Sequence, residues 1–464
     1  MQQDTIEIII KKAKSAQTEF ENAGQEVVDE LVTGLAWALI EPETNRYLSN
    51  QAVQETGLGN ADDKFTKNYR KTLGLLRDLK NAPSVGVIKE IPEKGLVEIA
   101  RPVGVVGAVT PSTNPIATPL NNTINAIKGR NAIILAPSPK GDAICELIVE
   151  ILQKILIRLG HPKNLIQKIP SPASKEATNK LMHSVDMVVV TGSEKNVSSA
   201  YRSGTPAIGV GVGNVAVIID ETADTASTAK MILTSKTFDN STSCSSENSL
   251  VIVDEVYENA IESLQEEGGV LLDQKETQEL RKHLWINERL NPHLIAKSAP
   301  EIGKVVGLQR PEIKQAKILM VEETGTGRDH PFSGEKLSPV LTLYRAESFE
   351  SACHRVIELY EFQGKGHSVG IHSKDETRPI EMGLKLPACR VIVNQPHCLA
   401  TGGSFSNGMP FSLSMGCGTW GGNNISDNLN YRHFLNIVRV VHPLSPIEPS
   451  EEEIFGEFWE KHGR

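Results

Sequence analysis

The chain has 464 residues, of which 39% are hydrophobic and 23% charged, with a formal net charge of −9. That length allows two or three packed units of ordinary globular composition. The acidic balance excludes the basic stripe of a nucleic-acid surface, and no apolar run reaches the ~18–20 residues that span a bilayer.

The amino terminus predicts an amphipathic helix with Ile6, Ile9, Ile10 and Ala13 on one side. It lacks the basic start, long apolar stretch and small-residue cleavage site of a secretory signal. From Val103 to Asp220, apolar strands alternate with helical patterns: strand 103–109, helix 119–128, strand 131–136, a helix striped by Ile144, Leu147, Ile148, Ile151, Leu152 and Ile155, strand 165–169, helix 174–183 and strand 187–190. A Thr191-Gly192-Ser193 turn opens a helix to Arg202, and apolar stretches follow around Ile208 and at 215–219. Wholly apolar strands separated by such helices predict a parallel sheet covered on both faces. A first unit is expected over 1–222. The pattern restarts with helix 223–237, a polar loop and strand 249–253, and continues through helices 255–267 and 274–290 and strands 316–321, 340–344, 367–372 and 389–393, giving a second α/β unit over 223–422. Over 423–464, an edge strand at 432–442 is read as an oligomerisation element, together with strands near 88–101. A proline-bearing linker follows, then a helix capped by Ser450 and Glu453 whose Ile454, Phe455, Phe458 and Trp459 share one face. So short a helix is marginal alone and is expected to dock on its own body or a partner.

The six cysteines (145, 244, 353, 389, 398 and 417) form no CxxC pair and no zinc spacing. They are read as reduced thiols, which implies a cytoplasmic location and no metal. Cys244 lies in the polar loop Asp239–Asn248, between a helix and a strand, where free backbone amides favour a thiolate. On the loop alone, a solvent-facing cysteine without a role is an equal reading. Cys145, Cys353, Cys389 and Cys398 border apolar runs, as inert buried thiols do, and Cys417 sits in a glycine-dense loop. The run Thr110-Pro111-Ser112-Thr113-Asn114-Pro115 ends a buried strand, where ligands gather in open parallel sheets. Asn114 either donates to a developing oxyanion or makes an ordinary Asn-Pro turn. Gly209-Val210-Gly211-Val212-Gly213 precedes strand residues rather than a helix, so it is no dinucleotide fingerprint. Thr191-Gly192-Ser193, opening a helix, is the better phosphate contact.

Taken together, these segments resemble the aldehyde dehydrogenase superfamily, over nearly the whole chain and in order. The run Arg101–Gly107 matches the strand leading to the family's catalytic asparagine, which puts Asn114 in the oxyanion role and Cys244 in that of nucleophile. The turn 191–193 matches the site of the cofactor diphosphate. In Glu335-Lys336-Leu337-Ser338-Pro339-Val340, Glu335 matches the glutamate that grips the nicotinamide ribose, with Leu337 beside it. Thr110, Pro111, Ser138, Lys140, Val210 and Gly211 complete the implied cofactor contacts. The resemblance implies a Rossmann-type cofactor domain, an α/β catalytic domain and a small oligomerisation element in a homodimer or homotetramer.

One departure is informative. Hydrolytic members carry a glutamate base where this chain has Gly209, and water attacking a thioester needs such a base. The chain resembles the coenzyme-A-acylating branch in its glycine-rich segment, Thr-Asn-Pro, Lys-Leu-Ser-Pro-Val and Gly-Cys-Gly-Thr-Trp-Gly-Gly runs. Within it, Thr110–Pro115, Ala136–Gly141 and Glu448–Glu453 are most like members acting on sulfoacetaldehyde. The expected reaction forms a thiohemiacetal and then a thioester on Cys244, which coenzyme A accepts. No carboxylate stands near Ala136 and Pro139, and Lys140 could attract a 2′-phosphate, so NADP is expected ahead of NAD. Asn122 aligns with a tunnel residue that is aromatic in many relatives. A wall of Asn122, Thr242, Ser243 and Ser245, with positive charge from His397 or else an exposed loop histidine there, would suit a small polar or anionic aldehyde. Succinic semialdehyde, acetaldehyde and propanal stay open as substrates, and so do a hydrolytic dehydrogenase, a cysteine hydrolase and a non-catalytic binding protein.

Overall fold

The computed structural model describes residues 2–464. Four helices open the chain: α1 (Gln2–Phe20), α2 (Gln25–Ile40), α3 (Pro42–Thr56) and α4 (Ala61–Leu79). Ile6, Ile10 and Ala13 of α1 are buried, as the amphipathic spacing predicts. Strands β1 (Gly86–Ile91) and β2 (Leu96–Pro102) form a hairpin. Then β3 (Val105–Thr110), α5 (Ala117–Lys128), β4 (Ala132–Pro137), α6 (Asp142–Arg158), β5 (Ile166–Lys168), α7 (Lys175–Met182), β6 (Met187–Thr191), α8 (Glu194–Arg202) and β7 (Ala207–Val210) build a wholly parallel sheet of order β5-β4-β3-β6-β7. The order reverses at β3, so a crevice opens at the carboxyl ends of β3 and β6, next to Thr110 and Thr191.

The second unit runs through β8 (Val215–Ile219), α9 (Thr225–Thr237), β9 (Glu247–Val253), β10 (Gly269–Leu271), a separate hairpin of β11 (Trp285–Ile286) and β12 (Arg289–Leu290), and then β13 (Ile318–Glu322), β14 (Val340–Ala346), β15 (Val369–His372) and β16 (Val391–Val393), and all but the hairpin strands form one sheet. Its order is β10-β13-β14-β9-β8-β15-β16. All its pairings are parallel.

Three expectations are corrected. The stretch 215–219 belongs to the second sheet, between β9 and β15, so the first unit ends at Gly211–Asn214 and not near residue 222. Both of its neighbours run parallel to it, and both of its faces are covered, which the apolar run alone could not assign to either sheet. The helix expected over 274–290 ends at Leu284, and Asn287 and Glu288 (φ 50° and 60°) turn a two-residue hairpin. Such a turn needs left-handed backbone at both central positions, which asparagine tolerates better than most residues with a Cβ. The chain also returns to the first unit before residue 423, because Phe411 already packs in the first core.

The edge strand is β17 (Leu435–Val441), antiparallel to β2 in a sheet of order β1-β2-β17. After an exposed linker, the helix Glu451–His462 carries the Ser450–Glu453 capping box and buries no residue on this chain.

Candidate active site

Cys244 follows a strained loop. Asp239, Asn240 and Ser241 hold φ of 51°, 50° and 61°, and left-handed backbone costs ~1–2 kcal/mol for each residue with a Cβ. The loop keeps this shape because Asp239 is anchored from several sides. Its carboxylate accepts from Lys64 Nζ (3.0 Å), Lys67 Nζ (2.5 Å), Thr242 Oγ1 (2.7 Å) and the Asn60 backbone N–H (2.9 Å). Its own N–H donates to Asp63 (2.7 Å). Burial alone would raise the Asp239 carboxyl, but the two ammonium groups and their hydrogen bonds outweigh it and hold it below the usual range. Burial also brings the Lys64 ammonium down to about 8, against the pull of Asp239.

Lys67 joins this loop to Asn114. Its Nζ donates to Asn114 Oδ1 (2.8 Å) and to Thr242 Oγ1 (3.1 Å). The amide oxygen of Asn114 is therefore occupied, and its NH2 is left as the donor. Asn114 and Ser243 line one narrow cavity, walled on one side by α4 and on the other by residues 398–413 and Phe238.

Cys244 is half-buried. Gly213 crosses so close that a Cβ there would stand 1.9 Å from the Cys244 carbonyl oxygen. Burial first, then Glu335 and Cys417, push the thiol up to about 12, while the Ser245 hydroxyl and the Cys244 backbone N–H pull the other way. The amide-stabilised thiolate expected from the loop is corrected to a half-buried thiol that stays protonated: desolvation exceeds what the nearby donors return. At position 209 a Cβ would lie 2.5 Å from Val197 Cγ1, and the Gly209 N–H donates to the Tyr201 hydroxyl (3.1 Å). A side chain there would have to push aside the Val197 and Tyr201 side chains of α8.

A second groove, of about 360 Å³, lies at the carboxyl ends of β3, β4 and β6 and includes Thr110, Pro111, Ser138, Thr191, Gly192 and Ser193. Ser193 caps α8, whose amino-terminal amides suit an anion. The hydroxyl of Ser138 and one carboxyl oxygen of Glu335 are buried without a hydrogen-bond partner, so both can meet a ribose hydroxyl. Burial pushes Glu335 up to about 8, against Lys236 and Lys336. These features fit a dinucleotide. Gly211 has already given its N–H to Asn423 Oδ1 (3.0 Å), and Val210 is buried at the end of β7. Leu337, at φ 44°, accepts from the Ala296 N–H (2.8 Å). Lys140 is exposed on the turn after Ser138 and is not part of the groove wall, which takes its cations from Lys175 and Lys195 instead.

Among the expected substrate residues, Ser243 alone reaches the cavity. Asn122 is enclosed inside α5 with neither amide atom partnered. Thr242 is spent between Lys67 and Asp239. Ser245 is buried, its carbonyl accepting from His397 Nδ1 (2.9 Å). His397 is neither exposed nor cationic, because burial lowers it to about 4. Lys64, Lys67, Arg70 and Lys71 escaped the sequence reading, which left residues 25–79 unassigned. Their signal was legible: Asn60 caps a helix with Asp62 and Asp63 in its first turn, and lysines recur at 64, 67 and 71.

The model of the aldehyde dehydrogenase family matches residues 1–272. This chain belongs to the aldehyde dehydrogenase family. Over 461 residues, 99% of the chain and 94% of the relative, it is 52% identical to the "Sulfoacetaldehyde dehydrogenase (acylating)" of Cupriavidus necator. It is 39% identical to the "Succinate-semialdehyde dehydrogenase (acetylating)" of Clostridium kluyveri, covering 97% of this chain and 99% of that one. An acetylating aldehyde dehydrogenase from Geobacillus thermoglucosidasius superposes with a TM-score of 0.92 at 35% identity, covering 97% and 99% of the two chains. These aldehyde dehydrogenases bear out the family, the fold and the acylating class of oxidoreductase read from the sequence.

Proposed function

We propose that the protein oxidises a small aldehyde with an anionic tail, sulfoacetaldehyde before succinic semialdehyde, to its coenzyme A thioester with NAD(P)+. The observation that carries this reading is the pairing of Asn114 with the Cys244 loop through Lys67, together with a glycine at 209, where the hydrolytic members carry their base. In this reading Cys244, once deprotonated, adds to the aldehyde carbon, and the oxyanion accepts from the Asn114 amide and the Cys244 backbone N–H. When bound, the dinucleotide supplies the hydride acceptor. The chain is left with a thioester on Cys244. With no base at 209 to prepare water, the thioester persists until the coenzyme A thiol attacks it. That attack releases the Cys244 thiolate and forms the acyl-CoA.

Thr191, Gly192 and Ser193 would hold the diphosphate at the start of α8, Ser138 and Glu335 the two riboses, and Thr110 and Pro111 the floor between them. Lys175 and Lys195 on the groove wall favour a 2′-phosphate, hence NADP before NAD. The unpaired edge of β17, with Val438, Val440 and Val441 exposed, and the undocked helix 451–462 support assembly into a dimer or tetramer.

The test is a panel of small aldehydes with NAD and NADP separately, with and without coenzyme A, followed by absorbance of the reduced dinucleotide. Turnover is expected only with coenzyme A, fastest with sulfoacetaldehyde. Sustained turnover without coenzyme A would overturn the acylating reading.

A further inference from the structure

Helix α4 turns a basic face inward. Lys67, Arg70 and Lys71 all line the narrow cavity beside Asn114 and Ser243, and the opposite wall, with Phe238, Leu399, Phe411 and Leu413, contributes no carboxylate. Lys64 and Lys67 share the buried carboxylate of Asp239. Lys71 Nζ donates to the carbonyls of Gly402 (2.6 Å) and Gly403 (3.3 Å), which orient it without cancelling its charge. Among the described residues neither Arg70 nor Lys71 has an ion-pair partner. Cations facing a part-dry cavity are costly unless an anion completes them. Lys67, one helical turn (~5.4 Å) before Lys71, orients the Asn114 amide. The uncompensated pair therefore shares its cavity with Asn114 and with Ser243, the residue that precedes Cys244.

We propose that Arg70, with Lys71 beside it, determines specificity by holding the terminal anionic group of the substrate, a sulfonate or a carboxylate, while the aldehyde carbon lies at Cys244. This rests on the substrate class proposed above and adds the residue that enforces it. The guanidinium suits the task because its planar fork offers two parallel donors to such a group.

The experiment compares kcat/KM for sulfoacetaldehyde, succinic semialdehyde and propanal in wild type, Arg70→Gln and Arg70→Lys, at saturating coenzyme A and dinucleotide. Losing a charge-assisted bond should lower the ratio of charged to neutral aldehyde about 10- to 100-fold in Arg70→Gln, mainly through KM. Arg70→Lys should recover part of the ratio. Ethanesulfonate should compete with propanal in wild type and lose that effect in Arg70→Gln. The charged substrate that loses more identifies the anion the site is built for. A loss equal for all three aldehydes, with the ratio and the ethanesulfonate effect unchanged, is what a structural role produces and overturns the inference. A wild type that does not prefer either charged aldehyde over propanal overturns the substrate reading instead.

Discussion

Replacing Asp239 by Asn keeps the shape of the side chain and removes its charge. Two lysines then lose their counter-charge inside the protein: Lys64 and Lys67 are 2% and 6% exposed, and both reach the same carboxyl oxygen. Removing one partner of a buried ion pair costs ~3–5 kcal/mol, because the other charge stays behind. The three left-handed residues at 239–241 lose their anchor together with it. With an unfolding entropy of ~2.1 cal/mol/K per residue over 464 residues, the expected result is a fall in the thermal midpoint of about 3–5 °C. A second effect follows from Lys67. Once no longer held by Asp239, it ceases to fix the Asn114 amide, and losing one oxyanion donor costs ~10²–10³ in kcat. Differential scanning fluorimetry reads the first effect, and coenzyme-A-dependent turnover the second. A variant that melts with the wild type and turns over at its rate refutes the reasoning, since it would mean that the lysines find other partners and Asn114 orients itself.

Because the ligand-free Cys244 thiol titrates near 12, its alkylation by iodoacetamide should climb steadily with pH from 7 to 9 without a plateau. Glu335 titrates near 8, so Glu335→Gln should alkylate like wild type below that pH and faster above it, where the wild-type carboxylate opposes the thiolate. Gly209→Glu should not acquire coenzyme-A-free turnover, and it should lower stability by about 1–3 kcal/mol in urea titration, because its Cβ collides with Val197. Burial and then Arg70 bring the Lys71 ammonium down to about 7. Of the other groups that act on it, Lys67 lowers it further, while Cys398 and Cys244 from the facing loops raise it. It loses its charge as pH rises through that value, so the kcat/KM ratio of sulfoacetaldehyde to propanal should fall between pH 6 and 8, while the shared dependence on Cys244 cancels.

Both sheets were legible because their strands are apolar along their length, and burial on both faces needs no alternation. Cys244, Asn114 and Glu335 are singled out only through family motifs, since a loop cysteine or an Asn-Pro turn carries little meaning by itself. Three features stayed hidden for physical reasons. Residues 215–219 read alike in either sheet, as an apolar strand has no mark of its neighbours. His397 was misread because a histidine after a strand looks exposed until the Ser245 carbonyl and the Thr401 hydroxyl are seen closing around it. Asn122 was misplaced because alignment gives a position in the chain and not the direction of a side chain on α5. Helices α2 to α4 were a different kind of omission. Pro42 at the first turn of α3 and left-handed Gly57 at its end are ordinary boundary signals, but no chemistry-bearing motif drew the reading there.

That omission matters most at α4, because one helix face performs two tasks that could have been separate. Lys64 and Lys67 meet Asp239 and so shape the nucleophile loop and orient Asn114. One turn on, Arg70 and Lys71 face the cavity without counter-charge. A rigid helix fixes the spacing between these two pairs, so an aldehyde anchored by its tail would be delivered to Cys244 at a set distance, and a tail of different length would be misplaced at the reacting carbon. Positioning of this kind is worth more than its contact energy, since a displacement of about 1 Å can cost ~10² in rate. Chain length should therefore act on kcat and charge on KM. The half-buried, protonated Cys244 thiol fits the same proposal. On the proposed mechanism, a Cys244 that is neutral in the ligand-free chain, with glycine and no base at 209, would keep its thioester for an incoming thiol rather than for water.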